Sequence, residues 1–206
     1  AKYPINVVTF YVSKENRYYV YGVAKDISDK GKQFLRDNNA EYILCKDEAD
    51  LLTQLLYTIG ASDVDILSGW NFGFDTVYIC NRLKKVNEKL LLKDRISLDL
   101  MSRMRGKNKR AYLNAKNELV INGTEVIDFL ALYKKYTFSE ESSYKLDYIG
   151  EKIVGEHKAP LPDGYLSWIK HWEDYVLYNF QDVRLLVKIE DKAQMFRLAV
   201  TSAAAA

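Results

Sequence analysis

The sequence predicts an α/β fold, and three observations carry that expectation. Residues 64–85 read as a strand, a glycine-containing turn and a helix with an acid at its start. Two β-branched and aromatic runs near the N-terminus read as a strand pair, and Leu166 to about Val200 repeats apolar residues at helical spacing.

Taken in order, Ile5 to Val12 (INVVTFYV) is a buried-strand pattern, Ser13 to Asn16 a turn, and Arg17 to Ala24 (RYYVYGVA) the returning strand of an antiparallel hairpin. Tyr42 to Cys45 is a further short strand. Asp47 to Ile59 places Leu51, Leu52, Leu55 and Leu56 at helical spacing, with Asp47 as N-cap. Val64 to Trp70 is an apolar strand. Asn71-Phe72-Gly73 turns the chain, and Asp75 to Lys85 is a helix with Val77, Tyr78, Leu83 and Val86 on its apolar side. Met101 to Arg110 is basic and irregular. Ala111 to Phe129 is strand-like, with Asn122-Gly123 as a hairpin turn signal. Residues 137–163 are turn-rich, with Pro160 and Pro162. The helical stretch from Leu166 carries Trp168, Trp172, Tyr175, Val176, Val183 and Leu186. Strands and helices alternate along the whole chain without a clean domain boundary.

The 206 residues hold 30 basic and 28 acidic side chains, a net charge of +2. This excludes a bulk polycation, so any contact with nucleic acid must come from local patches. Nearly half the residues are apolar, three are prolines and ten are glycines, which excludes a disordered chain or a linker-rich array. Cys45 and Cys80 belong to no CxxC or Cys/His cluster and read as buried thiols in a reducing compartment. No apolar run approaches the ~18 residues of a membrane span, and no charged-then-apolar leader opens the chain. The start at Ala1 and the end in four alanines after Ser202 read as cuts, the chain being a piece of something larger. Among 16 aspartates, none has a glutamate two residues downstream.

Asp75 follows a strand in an α/β unit, where functional groups gather; the alternative is an ordinary helix N-cap. Tyr178 and Asp182 stand one helical turn apart on one face. Such a carboxylate can hold a hard divalent cation, and such a hydroxyl can orient a water against it; the alternative is a surface aspartate beside a half-buried tyrosine. Two-metal phosphodiester hydrolysis needs carboxylates converging on cations ~3.5–4 Å apart, and distant segments can supply them.

These segments resemble the 3′→5′ exonuclease domain of family B DNA polymerases, above all the replicative polymerases of large tailed phages. Ile66-Leu67-Ser68-Gly69-Trp70-Asn71 with Phe74-Asp75, continuing through Tyr78, Asn81-Arg82 and Lys84, is similar to the second exonuclease motif of that family. Tyr178-Asn179-Phe180-Gln181-Asp182-Val183 is similar to the third. Val126-Ile127-Asp128-Phe129, Leu132-Tyr133-Lys134-Lys135 and Ser143-Tyr144-Lys145-Leu146-Asp147 follow the phage-type pattern between them. The resemblance runs from Ala1 to about Val200, with residues 201–206 as a tail.

The resemblance implies an RNase H-like α/β fold of the DEDDy exonuclease type: a mixed sheet flanked by helices, with an inserted β-hairpin at about 111–129 that helps separate primer from template. It implies a proofreading module that removes the mispaired 3′-terminal nucleotide of a primer with two divalent cations, Mg²⁺ or Mn²⁺. By position, Asp75 and Asp182 are metal-ligating carboxylates, Tyr178 orients the attacking water, and Asn71 and Phe74 position the terminal nucleotide. Lys158 matches a lysine near the scissile phosphate. The implied partners are the single-stranded primer end or primer-template DNA, the remainder of the polymerase polypeptide and a sliding clamp, in the host cytoplasm and away from membranes.

One motif departs. The first motif of the family is an Asp-x-Glu pair, which would bridge the metals and hold one of them. This sequence has none, and the match begins just downstream of where it belongs. The chain by itself is therefore expected to trim weakly or not at all, and its sheet to expose edges where the strand of that motif belongs. The polymerase-site motifs are absent as well. The alternative is a non-catalytic nucleic-acid-binding or structural module of the same fold.

Arg103, Arg105, Lys107, Lys109 and Arg110 form a basic run without an acid. It is either a phosphate contact on the DNA path or a solvated loop. The sixteen tyrosines read mostly as packing, and His157 and His171 have no partner ligands at metal spacing.

Overall fold

The computed structural model describes residues 1–23, 25–137, 140–158, 161 and 164–204, without the side chains of 165, 203 and 204. Ala24, Pro160, Pro162 and the last two alanines, all part of the sequence reading, lie outside the described residues. The fold is mixed α/β and divides into two compact units, residues 1–67 with 73–126 and residues 68–72 with 127–206.

The first unit holds a three-stranded sheet of β1 (Val7–Val12), β2 (Arg17–Gly22) and β3 (Ala40–Leu44), in that order. β1 and β2 form the expected antiparallel hairpin, with Val7 opposite Gly22 and Val12 opposite Arg17. β2 and β3 are parallel, so a crossover must join them. That crossover contains α1 (Asp29–Asp37), capped by the Ser28 hydroxyl, which accepts from the Gly31 N–H at 3.0 Å. The sequence reading passes over α1 because its buried face is only Gly31 and Leu35, too thin a stripe for periodicity to register.

α2 (Glu48–Ala61) buries Leu51, Leu52, Leu55, Leu56 and Ile59, and the Asp47 carboxylate caps it by accepting from the Asp50 N–H, as its sequence leads one to expect. The Tyr21 hydroxyl joins β2 to α2 through Thr58 Oγ1 at 2.7 Å. Gly60 allows a tight contact, since a Cβ there would collide with the Leu100 carbonyl oxygen. α3 (Phe72–Asn87) starts three residues earlier than the sequence suggests, so Asp75 sits inside its first turn rather than opening it. The basic segment is irregular apart from a 3₁₀ turn at Gly106–Asn108, as its sequence suggests.

β4 (Ile66–Gly69) pairs with β7 (Glu125–Asp128), and the boundaries between the units fall inside these two strands. Between them, β5 (Ala111–Leu113) and β6 (Leu119–Ile121) form an antiparallel hairpin with Ala111 opposite Ile121. Its reversal lies at 114–118, a turn additional to the one expected at Asn122-Gly123. Asn114 Oδ1 accepts from the Lys116 and Glu118 N–H groups at 2.8 and 3.0 Å, and Asn117 takes a left-handed conformation. Asn122-Gly123, with Gly123 at φ +87°, makes the next corner, between β6 and β7.

The second unit is helical: α4 (Phe129–Tyr136), α5 (Leu146–Val154), α6 (Ser167–Lys170), α7 (Trp172–Ala193) and α8 (Met195–Ala204). Its core joins Phe129, Leu132, Tyr133, Ile149, Leu185, Ile189 and Met195, with Trp70 packed against it. The long helical stretch of the sequence reading is three helices. It breaks at His171 and again at Gln194, whose φ of +51° ends α7. α5 is a short helix inside the segment that reads as turn-rich, and α4 fills the stretch between the strand-like and turn-rich segments, where the sequence suggests no element. Among the described residues no helix is long and apolar enough to cross a membrane.

Candidate active site

α7 is helical because Trp172, Val176, Phe180, Leu185 and Ile189 bury one stripe of it. Tyr178 and Asp182 flank that stripe and are half-buried. α5 ends at Gly155, whose φ of +78° lets its N–H reach the carbonyls of Gly150 and Glu151 at 3.1 and 2.9 Å. The chain then runs back along α7, and two ion pairs of opposite polarity hold it there. Glu156 pairs with Lys188, and Lys158 Nζ donates to Asp182 Oδ2 at 2.8 Å. The Lys158 ammonium also lies 5.5 Å from the centre of the Tyr178 ring. Lys158 thus meets both Tyr178 and Asp182.

The other carboxylate oxygen, Asp182 Oδ1, is buried and meets no hydrogen-bond donor among the described residues. Burial raises the Asp182 pKa above the ordinary aspartate value, and Lys158, which pulls the other way, does not offset it; Asp147 adds to the rise. Burial is the largest single influence on Lys158 and acts to lower its pKa, but the bond and charge of Asp182, together with Tyr178, outweigh it and leave the ammonium held above its usual value. An unpartnered carboxylate oxygen in a desolvated place is costly, and a hard cation would satisfy it. Among the described residues, however, no three histidine, cysteine, aspartate or glutamate side chains cluster so as to hold a metal ion. Asp182 fits one ligand position; a full donor set for two cations is not assembled from these residues.

The second candidate segment follows β4. Asn71, at φ +57°, takes the left-handed conformation that turns the strand into α3. Ser68 Oγ donates to the Ile127 carbonyl at 2.6 Å and Trp70 Nε1 to the Tyr144 carbonyl at 3.1 Å, fixing the end of the strand within the second unit. Asp75 belongs to the first unit and is exposed in the first turn of α3. Phe74, next to it, is 65 % exposed, and its ring centre lies 5.9 Å from that of Tyr78. α3 is anchored from behind: the Tyr78 hydroxyl donates to the Tyr3 carbonyl at 2.8 Å, and Arg82 makes two bonds to Glu48, at 2.8 and 2.5 Å. Glu48 Oε1 also accepts from the Ile5 N–H at 2.7 Å.

The basic run is not uniform. Arg103 pairs with Asp65 at 2.7 Å and Asp63 at 3.2 Å, so its charge is compensated within the fold. The Arg110 guanidinium lies 5.6 Å from the Tyr112 ring centre. Arg105, Lys107 and Arg110 are exposed and Lys109 is half-buried. Asp147, which carries no role in the sequence pattern, accepts from the Lys158 N–H at 2.6 Å across eleven residues. No local pattern marks that contact. Only the return of the chain after Gly155 creates it.

A family profile described as DNA polymerase family B, exonuclease domain, matches residues 14–149. That span takes in Asn71, Phe74, Asp75 and the basic run, and stops short of Lys158, Tyr178 and Asp182. The DNA-directed DNA polymerase of Escherichia phage RB69 is 29% identical over 97% of this chain and 24% of its own length. The DNA-directed DNA polymerase of Enterobacteria phage T4 is 25% identical over 92% of the chain and 23% of its own length. The chain therefore spans about a quarter of the length of these curated relatives. By the profile match over residues 14–149, the chain belongs to the exonuclease domains of the family B DNA polymerases.

Proposed function

We propose that the chain is the 3′→5′ proofreading exonuclease module of a DNA-directed DNA polymerase, with an RNase H-like, DEDDy-type fold, hydrolysing the 3′-terminal phosphodiester of a primer. The observation that carries this reading is the Asp182 site in a chain of this family. One carboxylate oxygen is held by Lys158, the other is buried and unpartnered, and Tyr178 stands one turn away. Asp182, through one position, and Asp75 would each supply a carboxylate ligand for divalent cations, Mg²⁺ or Mn²⁺, whose full donor set the described residues do not assemble and which when bound would supply Lewis-acid polarisation of the scissile phosphate. Lys158 Nζ fixes Asp182 Oδ2, which leaves Oδ1 as the ligand oxygen, and places a positive charge beside the phosphate. The Tyr178 hydroxyl orients the attacking water. Asn71 and the exposed Phe74 ring position and stack the terminal nucleotide. Arg105, Lys107, Lys109 and Arg110 contact the DNA backbone, with Arg103 contributing least because Asp63 and Asp65 compensate it.

The 206 residues contain no Asp-x-Glu pair. By itself the chain is therefore expected to trim weakly, whereas the polypeptide with the remainder of the polymerase trims efficiently. The partners of that assembly are the single-stranded primer end, primer-template DNA and a sliding clamp, in the cytoplasm of the host cell.

The test uses a 3′-labelled single-stranded oligonucleotide with Mg²⁺. The intact polypeptide should release the terminal nucleotide, and Asp182→Ala should slow it by about 10²–10³-fold, the scale on which groups acting at the reacting centre matter. Wild-type trimming by Asp182→Ala would overturn the reading. Robust trimming by the 206-residue chain alone would overturn the weaker-activity part of it.

A further inference from the structure

We infer that Asp147 is a positioning residue for Lys158, fixing the loop that delivers the lysine to Asp182; this rests on the exonuclease reading of that site. Lys158 is held at both ends. Its backbone N–H donates to Asp147 Oδ1 at 2.6 Å, and its Nζ donates to Asp182 Oδ2 at 2.8 Å. Asp147 lies in the first turn of α5, where a carboxylate usually serves the free N–H groups of its own helix. Here its oxygen goes instead to a loop residue eleven positions on. A lysine has a flexible four-carbon stem, so its ammonium is only as well placed as its Cα. The Cα of Lys158 follows a left-handed glycine and an exposed Glu156-His157 pair, which leave the backbone bond to Asp147 as a direct constraint on its place.

Neighbouring charges fit the same role. His157 Nδ1 lies 3.8 Å from Asp147, and His157 Nε2 lies 3.3 Å from Glu151, one turn along α5. Glu156 pairs with Lys188 on α7. Loop residues 156, 157 and 158 are thus each tied to a helix, and the tie at Lys158 is the one made by backbone. What Asp147 supplies is an acceptor oxygen at a fixed place, so an uncharged acceptor of the same shape should serve.

The experiment uses the intact polypeptide and the 3′-labelled single strand with Mg²⁺, with amide hydrogen exchange of Lys158 in metal-free protein as a second readout. Asp147→Ala should lower kcat on the order of tenfold, the scale of lost supporting contacts, with KM changed by less than about twofold. It should also remove protection of the Lys158 amide. Asp147→Asn, which restores an acceptor oxygen, should recover both kcat and protection. In a Lys158→Ala background, Asp147→Ala should cause no further loss, because it acts through the lysine. Asp147→Ser, too short to reach the amide, repeats the test should the alanine variant not fold. Full activity of Asp147→Ala, unchanged amide protection, additive losses in the double variant, or an asparagine variant as slow as the alanine variant would each overturn the proposal. Asp182→Ala separates the two levels. If it is inactive while Asp147→Ala is normal, the positioning role alone fails. If Asp182→Ala trims normally, the site reading fails and takes the role with it.

Discussion

Arg82 carries its charge where few guanidinium groups are found: its side chain is 10 % exposed, and that of its partner Glu48 is 13 % exposed. Breaking a buried pair strands the remaining charge, which costs more than the pair itself contributes. Arg82→Ala should therefore lower the unfolding free energy by about 3 kcal/mol, measured by urea denaturation. A loss below about 1 kcal/mol would show that Glu48 is satisfied without it, through the Ile5 N–H for example. Arg82 was legible in the sequence only as part of the segment after Asp75; nothing local pointed to Glu48, 34 residues earlier. The catalytic candidates divide in the same way. Tyr178 and Asp182 are one helical turn apart, so their shared face could be read from spacing alone. Lys158 meets both Asp182 and Asp147 through a reversal that spacing does not encode. Arg103 read as a free cation because the acids that pair with it, Asp63 and Asp65, lie some forty residues upstream.

At the scale of elements, turn chemistry decides where helices begin and end. Asn71, Gly155 and Gln194 are each in the left-handed conformation, and each sits at a helix boundary. Asparagine tolerates this conformation and β-branched residues do not. Asn71→Gly should leave the melting temperature nearly unchanged, while Asn71→Val should cost about 1–2 kcal/mol. The same pair of variants separates two roles for Asn71. If Asn71→Gly keeps its stability but trims more slowly, the side chain contacts substrate; if it trims normally, Asn71 is only a turn residue. β1, β2, α2 and α3 were legible because each carries several apolar residues at one period. α1, α4 and α5 are eight or nine residues long, and their stripes are shorter than the window over which periodicity speaks. Asn122-Gly123 does turn the chain, with the Thr124 N–H donating to the Ile121 carbonyl at 3.2 Å, but the β5–β6 reversal carries no such dipeptide signal, because Asn114 makes its turn through side-chain acceptance and Asn117 through a left-handed backbone.

At the scale of the molecule, the buried titratable groups of the first unit set an alkaline limit. Burial pushes the Cys45 thiol up from 9.0 to about 12, the Cys80 thiol from 9.0 to about 11, and the Tyr21 hydroxyl from 10.0 to about 12. A raised folded-state value means the neutral form is favoured in the fold. The stability this provides is complete below pH 9 and is lost as pH rises through the folded-state values. The melting temperature should therefore fall steadily between about pH 9 and pH 12, and Cys45→Ala with Cys80→Ala should flatten the lower part of that slope. A melting temperature constant to pH 11 would contradict this. Both thiols should also resist alkylation at pH 8 until the chain unfolds. By itself the sequence determined the α/β class, the first hairpin, the α2 cap and the placing of Tyr178 and Asp182 on one helix face. These rest on spacings of a few residues, where the period of a strand or helix fixes geometry directly. The tertiary structure alone decided that Lys158 holds Asp182, that Asp147 holds Lys158, that Arg103 is compensated and that Asp182 Oδ1 is left buried without a donor. Each of these depends on where a distant segment returns and on which groups its packing shields from water, and no local pattern carries that information.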